Sequence, residues 1–159
     1  MDKMLNILKK NGRISLEELA GILGVTAEEA ADRLDSYLAN GVIRGFTAVT
    51  DWEKTDAKYV TAFIDLKVTP MKNFGFDTIA REIASFDEVE SVYLMSGGYD
   101  LGLIIHASNF RDIALFVYDR IAPLEGVVST ATHFVLRCYK ESGISFLDDE
   151  RDERSEFLQ

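Results

Sequence analysis

The sequence predicts an α+β protein in two parts, a helical segment followed by a sheet with helices against it. Three observations carry this. Over residues 2–40 apolar residues recur every three or four positions, the period of one helix face. Further on they alternate at period two in Tyr59–Val68, in two runs within Val89–His106 and in Val127–Tyr139, as in half-buried strands. Between the strand patterns lie two amphipathic stretches, Asn73–Phe86 and Asn109–Ile121.

The first helix is expected over residues 2–11, with Met4, Leu5, Ile7 and Leu8 inward, Lys9 and Lys10 in its last turn and Asn11-Gly12 as its stop. Ser15-Leu16-Glu17-Glu18 reads as a capping box, Ser15 capping the helix start and Glu18 reaching back to it. Leu16, Leu19, Ala20 and Leu23 form that helix's inner face, and Gly24-Val25 breaks it. Thr26-Ala27-Glu28-Glu29 is a second capping box. It opens a third helix with Ala30, Leu34, Tyr37 and Leu38 as core stripe and Gly41 as stop. Two helices joined by a short glycine turn, behind a preceding helix, form a helix-turn-helix signature. Val42–Val49 follows as a strand pattern broken by Gly45, in the place of a wing. Residues 1–50 are therefore expected to form a winged helix-turn-helix domain. The polar stretch 51–58 reads as a linker, with Trp52 packing between domains.

The second domain is expected over residues 59–143. Val60, Ala62, Ile64, Leu66 and Val68 occupy alternate positions of its first strand, which Thr69-Pro70 closes. Within Val89–His106, Ser96-Gly97-Gly98-Tyr99-Asp100 reads as a hairpin turn, the glycine pair supplying φ above zero. Asn109 or Ser108 caps the second helix, Pro123 and Gly126 punctuate, and Val127–Tyr139 is a long last strand. The order strand, helix, strand, strand, helix, strand is the ferredoxin-like βαββαβ pattern, with both helices on one face of an antiparallel sheet. Residues 144–159 read as an acidic tail, whose part 148–159 is mostly charge and is expected to fray or form a short exposed helix.

Composition bounds the function. An apolar fraction of 47% with 11% aromatic residues is enough for a packed core. No apolar run approaches the roughly 20 residues of a membrane helix, and no signal-peptide core follows Met1, so a soluble, cytoplasmic protein without membrane partners is expected. The single Cys138 excludes an internal disulfide and reads as a buried, inert thiol. The net charge of −10 is unevenly spread. Residues 1–46 hold six Lys/Arg against seven Asp/Glu, and the remaining 113 hold eleven against twenty. Nothing points to catalysis: the chain has no nucleophile elbow, Walker loop or dinucleotide fingerprint, and its carboxylates are scattered at solvent-face spacing. His106 and His133 each sit between strand residues with no third metal ligand at recognisable spacing. Neither a catalytic residue, a metal site nor a cofactor is therefore expected, and the chain is not read as an enzyme.

Ile14–Ala20, Leu23–Thr26, Arg33-Leu34 and Gly41–Ala48, followed by Gly97, Tyr99-Asp100, Leu124–Val127, Thr130, Thr132 and Tyr139-Lys140, form an ordered set. In this order they resemble the leucine-responsive/AsnC (feast/famine) family of transcription regulators, from about residue 2 to residue 143. The resemblance implies a regulator that binds double-stranded DNA and responds to a small-molecule effector, usually an amino acid. It implies homodimers formed through the sheets, which in this family often assemble into rings of four dimers, an octamer. Effectors in the family typically sit between dimers, near the hairpin, the start of the second helix and the last strand. Transferred by position, this nominates Gly97, Gly98, Tyr99, Asp100, Phe110, Thr130, Thr132, His133 and Phe134. Heme-pathway decarboxylases share the two-domain architecture but resemble this chain poorly.

For the DNA surface, the third helix directs Ala27, Glu28, Ala31, Asp32 and Asp35 outward. Bases and phosphates present mostly acceptors, so acids there cost affinity, although Glu28 could accept from cytosine N4. Arg33 matches the family pattern, and Asp35-Ser36 replaces the basic residues that relatives often carry. The nominated DNA contacts are Lys9, Lys10, Arg13, Thr26, Ala27, Glu28, Arg33 and Arg44. The alternative is a sensing and assembly module whose acidic recognition helix has weakened or lost DNA binding. At the hairpin two roles stand side by side. Gly97–Asp100 forms a turn in which Asp100 bonds backbone amides, or it meets a zwitterion with its amides and the Asp100 carboxylate.

Overall fold

The structure, a computed structural model, describes residues 2–70 and 75–147. These fall into two compact units, residues 2–50 with 140–147 and residues 51–139.

In the first unit α1 (Lys3–Lys10), α2 (Leu16–Leu23) and α3 (Ala27–Ala39) surround buried Met4, Leu8 and Leu19. Each helix has its own cap. Leu5 N–H donates to Asp2 Oδ1 at 3.1 Å, and Glu18 N–H donates to Ser15 Oγ at 3.1 Å. The reciprocal capping box forms only at α3, where Glu29 N–H donates to Thr26 Oγ1 (3.2 Å) and Thr26 N–H to Glu29 Oε2 (2.8 Å). At α2 the expected return bond from Glu18 is not made. Gly24 turns the chain from α2 to α3 with φ 74, a left-handed conformation that costs a side-chain-bearing residue free energy.

Two expectations for this unit are corrected. Leu38, expected in the core stripe of α3, is 41% exposed, while Leu34 and Tyr37 pack on the core as expected. The strand expected over Val42–Val49 does not form. Ile43 is drawn onto the core instead, and the Phe46 ring lies so close over Gly12 that a Cβ there would meet Cδ1 at 2.9 Å. Side-chain packing, not a hydrogen-bonded ladder, places this segment.

The second unit has the order β1 (Val60–Val68), α4 (Asp77–Ile83), β2 (Val89–Leu94), β3 (Leu101–Ala107), α5 (Phe110–Phe116) and β4 (Val127–Phe134). The sheet order is β2-β3-β1-β4, with every pairing antiparallel. α5 continues through a π-helical turn at Val117–Ile121, where Ala122 N–H donates to Val117 O at 2.8 Å. Ala62, Ile64, Leu66 and Val68 of β1, with Leu101, Leu103 and Ile105 of β3, meet Ile79, Ile83, Ile113 and Ile121 in one core. Both helices thus cover one face. The opposite face carries Phe63, Tyr93 and Ile104, which belong to the alternate set.

Here too some expectations shift. Helix α4 begins at Asp77, with Gly75 (φ 56) and Phe76 outside it, and ends at Ile83 rather than Phe86; the expected start at Asn73 itself lies outside the described residues. β4 ends at Phe134 rather than Tyr139. Its partner β1 begins at Val60 and pairs Ala62 with Phe134, so no ladder remains beyond Val135. Residues 51–58 belong to the second unit instead of forming a free linker. Trp52, in a short 3-10 turn, stacks on Tyr59 at 4.4 Å, and Tyr59 stacks on His106 at 4.5 Å. Trp52 therefore packs on residues of the second unit. Neither Gly97 nor Gly98 has positive φ, so the β2–β3 loop is not the tight glycine turn expected. Such a turn occurs later, where Ser142 (φ 48) and Gly143 (φ 89) join β5 (Lys140–Glu141) to β6 (Ile144–Ser145). A boundary at 143/144 would cut this hairpin. The expectation for 148–159 lies outside the described residues, and Cys138 is half-buried rather than buried.

Asp100 holds the β2–β3 loop in place. Its backbone N–H donates to Leu66 O (2.9 Å), its carbonyl accepts from Met95 N–H (2.8 Å), and its carboxylate accepts from Val68 N–H (2.8 Å) and Lys67 Nζ (3.2 Å). The Val68 amide, aided by the Lys67 ammonium, holds this carboxyl below its ordinary pKa against the opposing effect of partial burial.

Two stability predictions follow. Ile64, fully buried, is expected to cost about 2–5 kcal/mol on replacement by Ala, read as a lower urea midpoint with unchanged slope. Because the folded pKa of Asp100 is depressed, its ionised form stabilises above the unfolded value, and this contribution is lost as pH falls through the folded value. Asp100→Asn should thus be less stable than the parent near pH 7, and the two urea midpoints should converge below about pH 4.

Candidate functional site

One candidate surface lies on the first unit. Lys9 and Lys10 end α1 and Arg13 follows in the next turn; all three are exposed and have no partner among the described residues. The Phe46–Gly12 contact brings the segment carrying Arg44 alongside that turn. The Arg44 guanidinium lies over Gly41, whose missing Cβ would stand 3.1 Å from Cζ. Three unpaired cations thus surround the α1–α2 turn and a fourth, Arg44, lies at the end of α3 on the segment that Phe46 anchors to that turn; charges of this kind suit phosphate, which positions a duplex without reading its bases.

The other nominated residues of this unit are differently employed. Thr26 is exposed, but its hydroxyl and amide are both engaged in the α3 capping box. Ala27 and Glu28 are exposed on the first turn of α3, with Asp32 and Asp35 further along. Arg33 is exposed yet tied down: Nη2 pairs with the Asp2 carboxylate, and Nε donates to Tyr37 Oη at 3.1 Å. The Tyr37 hydrogen bond, then the Asp2 charge, raise the Arg33 pKa. The Leu5 amide, then Tyr37 and Arg33, lower that of Asp2. This clamp joins the start of α1 to α3. Nothing in the local sequence signals it, because Asp2 and Arg33 are 31 positions apart.

On the second unit the structure divides the nominated effector residues into two groups. Gly97, Gly98, Tyr99 and Asp100 lie at the end of the sheet where Asp100 binds Leu66 and Val68. Open space surrounds both glycines where side chains would stand. Phe110 and Phe134 lie at the opposite end, their rings edge to face at 4.9 Å, with Phe134 opposite Ala62. Leu66 is four residue steps along β1 from Ala62, about 13 Å of strand. Thr130 and Thr132 face Leu66 and Ile64 between these ends, on the helix-covered side. His133 faces the other way, its Nε2 3.1 Å from Asp65 Oδ2 on the open face. No amino-acid-sized molecule touches all nine residues within one chain.

The open face is the surface that local sequence reading missed. Phe63 is 48% and Tyr93 52% exposed there, flanked by the His133–Asp65 pair. His106 closes one end of it, bonded at Nδ1 to Thr61 Oγ1 (3.1 Å) and at Nε2 to the Glu90 carboxylate. A period-two pattern with apolar residues on both faces was its available signal.

The chain is similar to known proteins along nearly its whole length. Residues 61–144 match the Lrp/AsnC ligand binding domain, and residues 2–37 match the AsnC-type helix-turn-helix domain. The uncharacterized HTH-type transcriptional regulator YugG of Bacillus subtilis is 44% identical over 153 residues, 96% of this chain and 92% of that protein. The HTH-type transcriptional regulator FL11 of Pyrococcus furiosus is 31% identical over 140 residues, 88% of this chain and 89% of its own. A Neisseria meningitidis transcriptional regulator crystallised with L-Met shares the fold at a TM-score of 0.70 and 24% identity, covering 89% of this chain and 93% of that one. AsnC of Escherichia coli does so at a TM-score of 0.66 and 22% identity, over 87% and 91%. With both domains matched in order, the chain belongs to the Lrp/AsnC family: it is a transcription regulator with an AsnC-type helix-turn-helix domain and an Lrp/AsnC ligand-binding domain.

Proposed function

We propose that the first unit grips duplex DNA at the edge formed by Lys9, Lys10, Arg13 and Arg44, and that an amino acid bound by the second unit alters this grip. The observation that carries the reading is the set of four unpaired cations on a helix-turn-helix unit, in one chain with an Lrp/AsnC ligand-binding domain. Glu28 stands at the start of α3, where it could accept from cytosine N4. Arg33 acts by positioning α3 through Asp2 and Tyr37, not by touching DNA.

The effector site is completed by a second copy of the chain. Its two halves sit at β1 positions about 13 Å apart along the strand, Leu66 and Ala62, so the Gly97–Asp100 end of one copy meets the Phe110–Phe134 end of another. The Gly97 and Gly98 amides receive the α-carboxylate, and the aromatic pair receives an apolar side chain. Asp100, already bonded to Val68 and Lys67, acts chiefly by holding the loop. The L-Met found in the Neisseria neighbour agrees with an apolar amino acid as the effector class. No separate cofactor enters this reading, and the protein works in the cytoplasm beside DNA. Homodimers form through the open sheet face, and pairing of dimers, up to an octamer, brings the two ends together. Differential affinity of the effector for these assemblies is then what shifts DNA binding.

A second reading is favoured by one observation, the exposed acids Glu28, Asp32 and Asp35 on α3. In it the chain senses ligand and assembles without gripping DNA. Fluorescence anisotropy of a labelled upstream duplex at low salt separates the two. The proposal expects saturable binding that an apolar amino acid shifts severalfold, and loss of that shift in Phe110→Ala. Folded protein with no binding at any practical concentration would leave the second reading. Sedimentation equilibrium tests the dimer face: Phe63→Glu should raise the dimer dissociation constant at least tenfold, since it places like charges together in an apolar contact. An unchanged constant would move the dimer contact elsewhere.

A further inference from the structure

Residues 140–147 belong to the same compact unit as the helix-turn-helix, so the chain enters residues 148–159 from that unit. Those twelve residues carry six Asp/Glu against two Arg, a net charge of −4, and open on the uninterrupted run Asp148-Asp149-Glu150. Of the six cations in residues 1–50, Lys3 is bonded to Ile22 O and Arg33 to Asp2 and Tyr37. Lys9, Lys10, Arg13 and Arg44 remain unpaired among the described residues. α3 presents Glu28, Asp32 and Asp35 and repels such a segment, so the unpaired charges of this unit that complement it are Lys9, Lys10 and Arg13 around the α1–α2 turn and Arg44 beside Gly41.

From these observations we infer that segment 148–159 docks on the edge formed by Lys9, Lys10, Arg13 and Arg44 of its own first unit and there competes with DNA phosphate. Twelve residues span up to about 40 Å when extended, more than enough to reach across a unit of this size. Tethering gives the segment an effective concentration near millimolar, so a contact weak between separate molecules is well populated within one chain. Exposed ion pairs of this kind are screened by salt, and the docking is therefore strongest where DNA binding is also strongest. The competition rests on the DNA reading above, whereas the docking does not.

The test compares the full chain, a chain ending at Leu147, and a full-length variant with all six acids of 148–159 changed to Asn or Gln. Amine labelling with an N-hydroxysuccinimide ester, read by mass spectrometry, reports Lys9 and Lys10, with Lys58 as internal reference. Docking predicts that Lys9 and Lys10 react roughly three- to tenfold more slowly in the full chain at 50 mM salt. It also predicts that the truncated and neutralised chains lose this protection alike, and that 500 mM salt removes it. Equal reactivity in all three at 50 mM salt overturns the docking. Competition predicts that truncation and neutralisation each tighten duplex binding by a similar factor at 50 mM salt and hardly at 500 mM. Protection without that gain overturns the competition. Protection in a chain that binds no DNA in any form upholds the docking and rejects the DNA reading instead.

Discussion

Burial of alternate residues along β1 is the constraint on which the second unit depends. Ala62, Ile64, Leu66 and Val68 turn to the helices with at most 4% exposure, and this sets the register against both β3 and β4. A slip of one residue would exchange the two faces, bringing Phe63, Asp65 and Lys67 under the helices. The same strand separates the ends of the candidate effector site. Asp100 is tied at Leu66 and Val68, and Phe134 sits opposite Ala62, so the strand that makes the core also keeps the two groups apart. An amino acid held by both groups therefore draws on two copies of the chain. In the proposed reading, fold, assembly and sensing are linked through one strand.

In the first unit electrostatics organises the surface. Helix α3 begins with Glu28 and Glu29, which suits the positive end of a helix, and Glu29 completes the cap on Thr26. The acids that start the helix well are poorly suited to a polyanion. Arg33, the cation best placed by sequence to offset them, is held by Asp2 and Tyr37. Free cations stand instead around the α1–α2 turn, at Lys9, Lys10 and Arg13, and over Gly41, where the Arg44 guanidinium lies. This division separates the stability of α3 from the charge that attracts DNA.

Local pattern was enough to read much of this. Period two marked β1 to β4, period 3.6 marked the helices, and Thr26 with Glu29 announced the cap that the structure contains. The readings that failed concern information held elsewhere in the chain. β4 stops at Phe134 because β1 begins at Val60, which no residue near Tyr139 encodes. The alternation in Val42–Val49 has no partner strand among the described residues, so it yields an irregular segment placed by Phe46. Gly97-Gly98 resembles a tight turn, but Asp100 shapes that loop by reaching back to β1, while the positive-φ pair lies at Ser142-Gly143. For the candidate site, the residue types were legible from the family pattern. Their division between two ends and two faces of the sheet needed the register. Thr130, Thr132 and His133 lie within four consecutive positions, yet His133 points away from the other two.

The salt dependence of duplex DNA binding tests the central claim most directly, namely that a cation edge and not Arg33 supplies the grip. Each phosphate contact contributes about −0.9 to the slope of log K against log salt. Lys9→Gln, Lys10→Gln, Arg13→Gln and Arg44→Gln should each reduce the slope by about that amount for every copy bound, while Arg33→Gln leaves it unchanged. A slope that falls with Arg33→Gln and is indifferent to the other four would contradict the account.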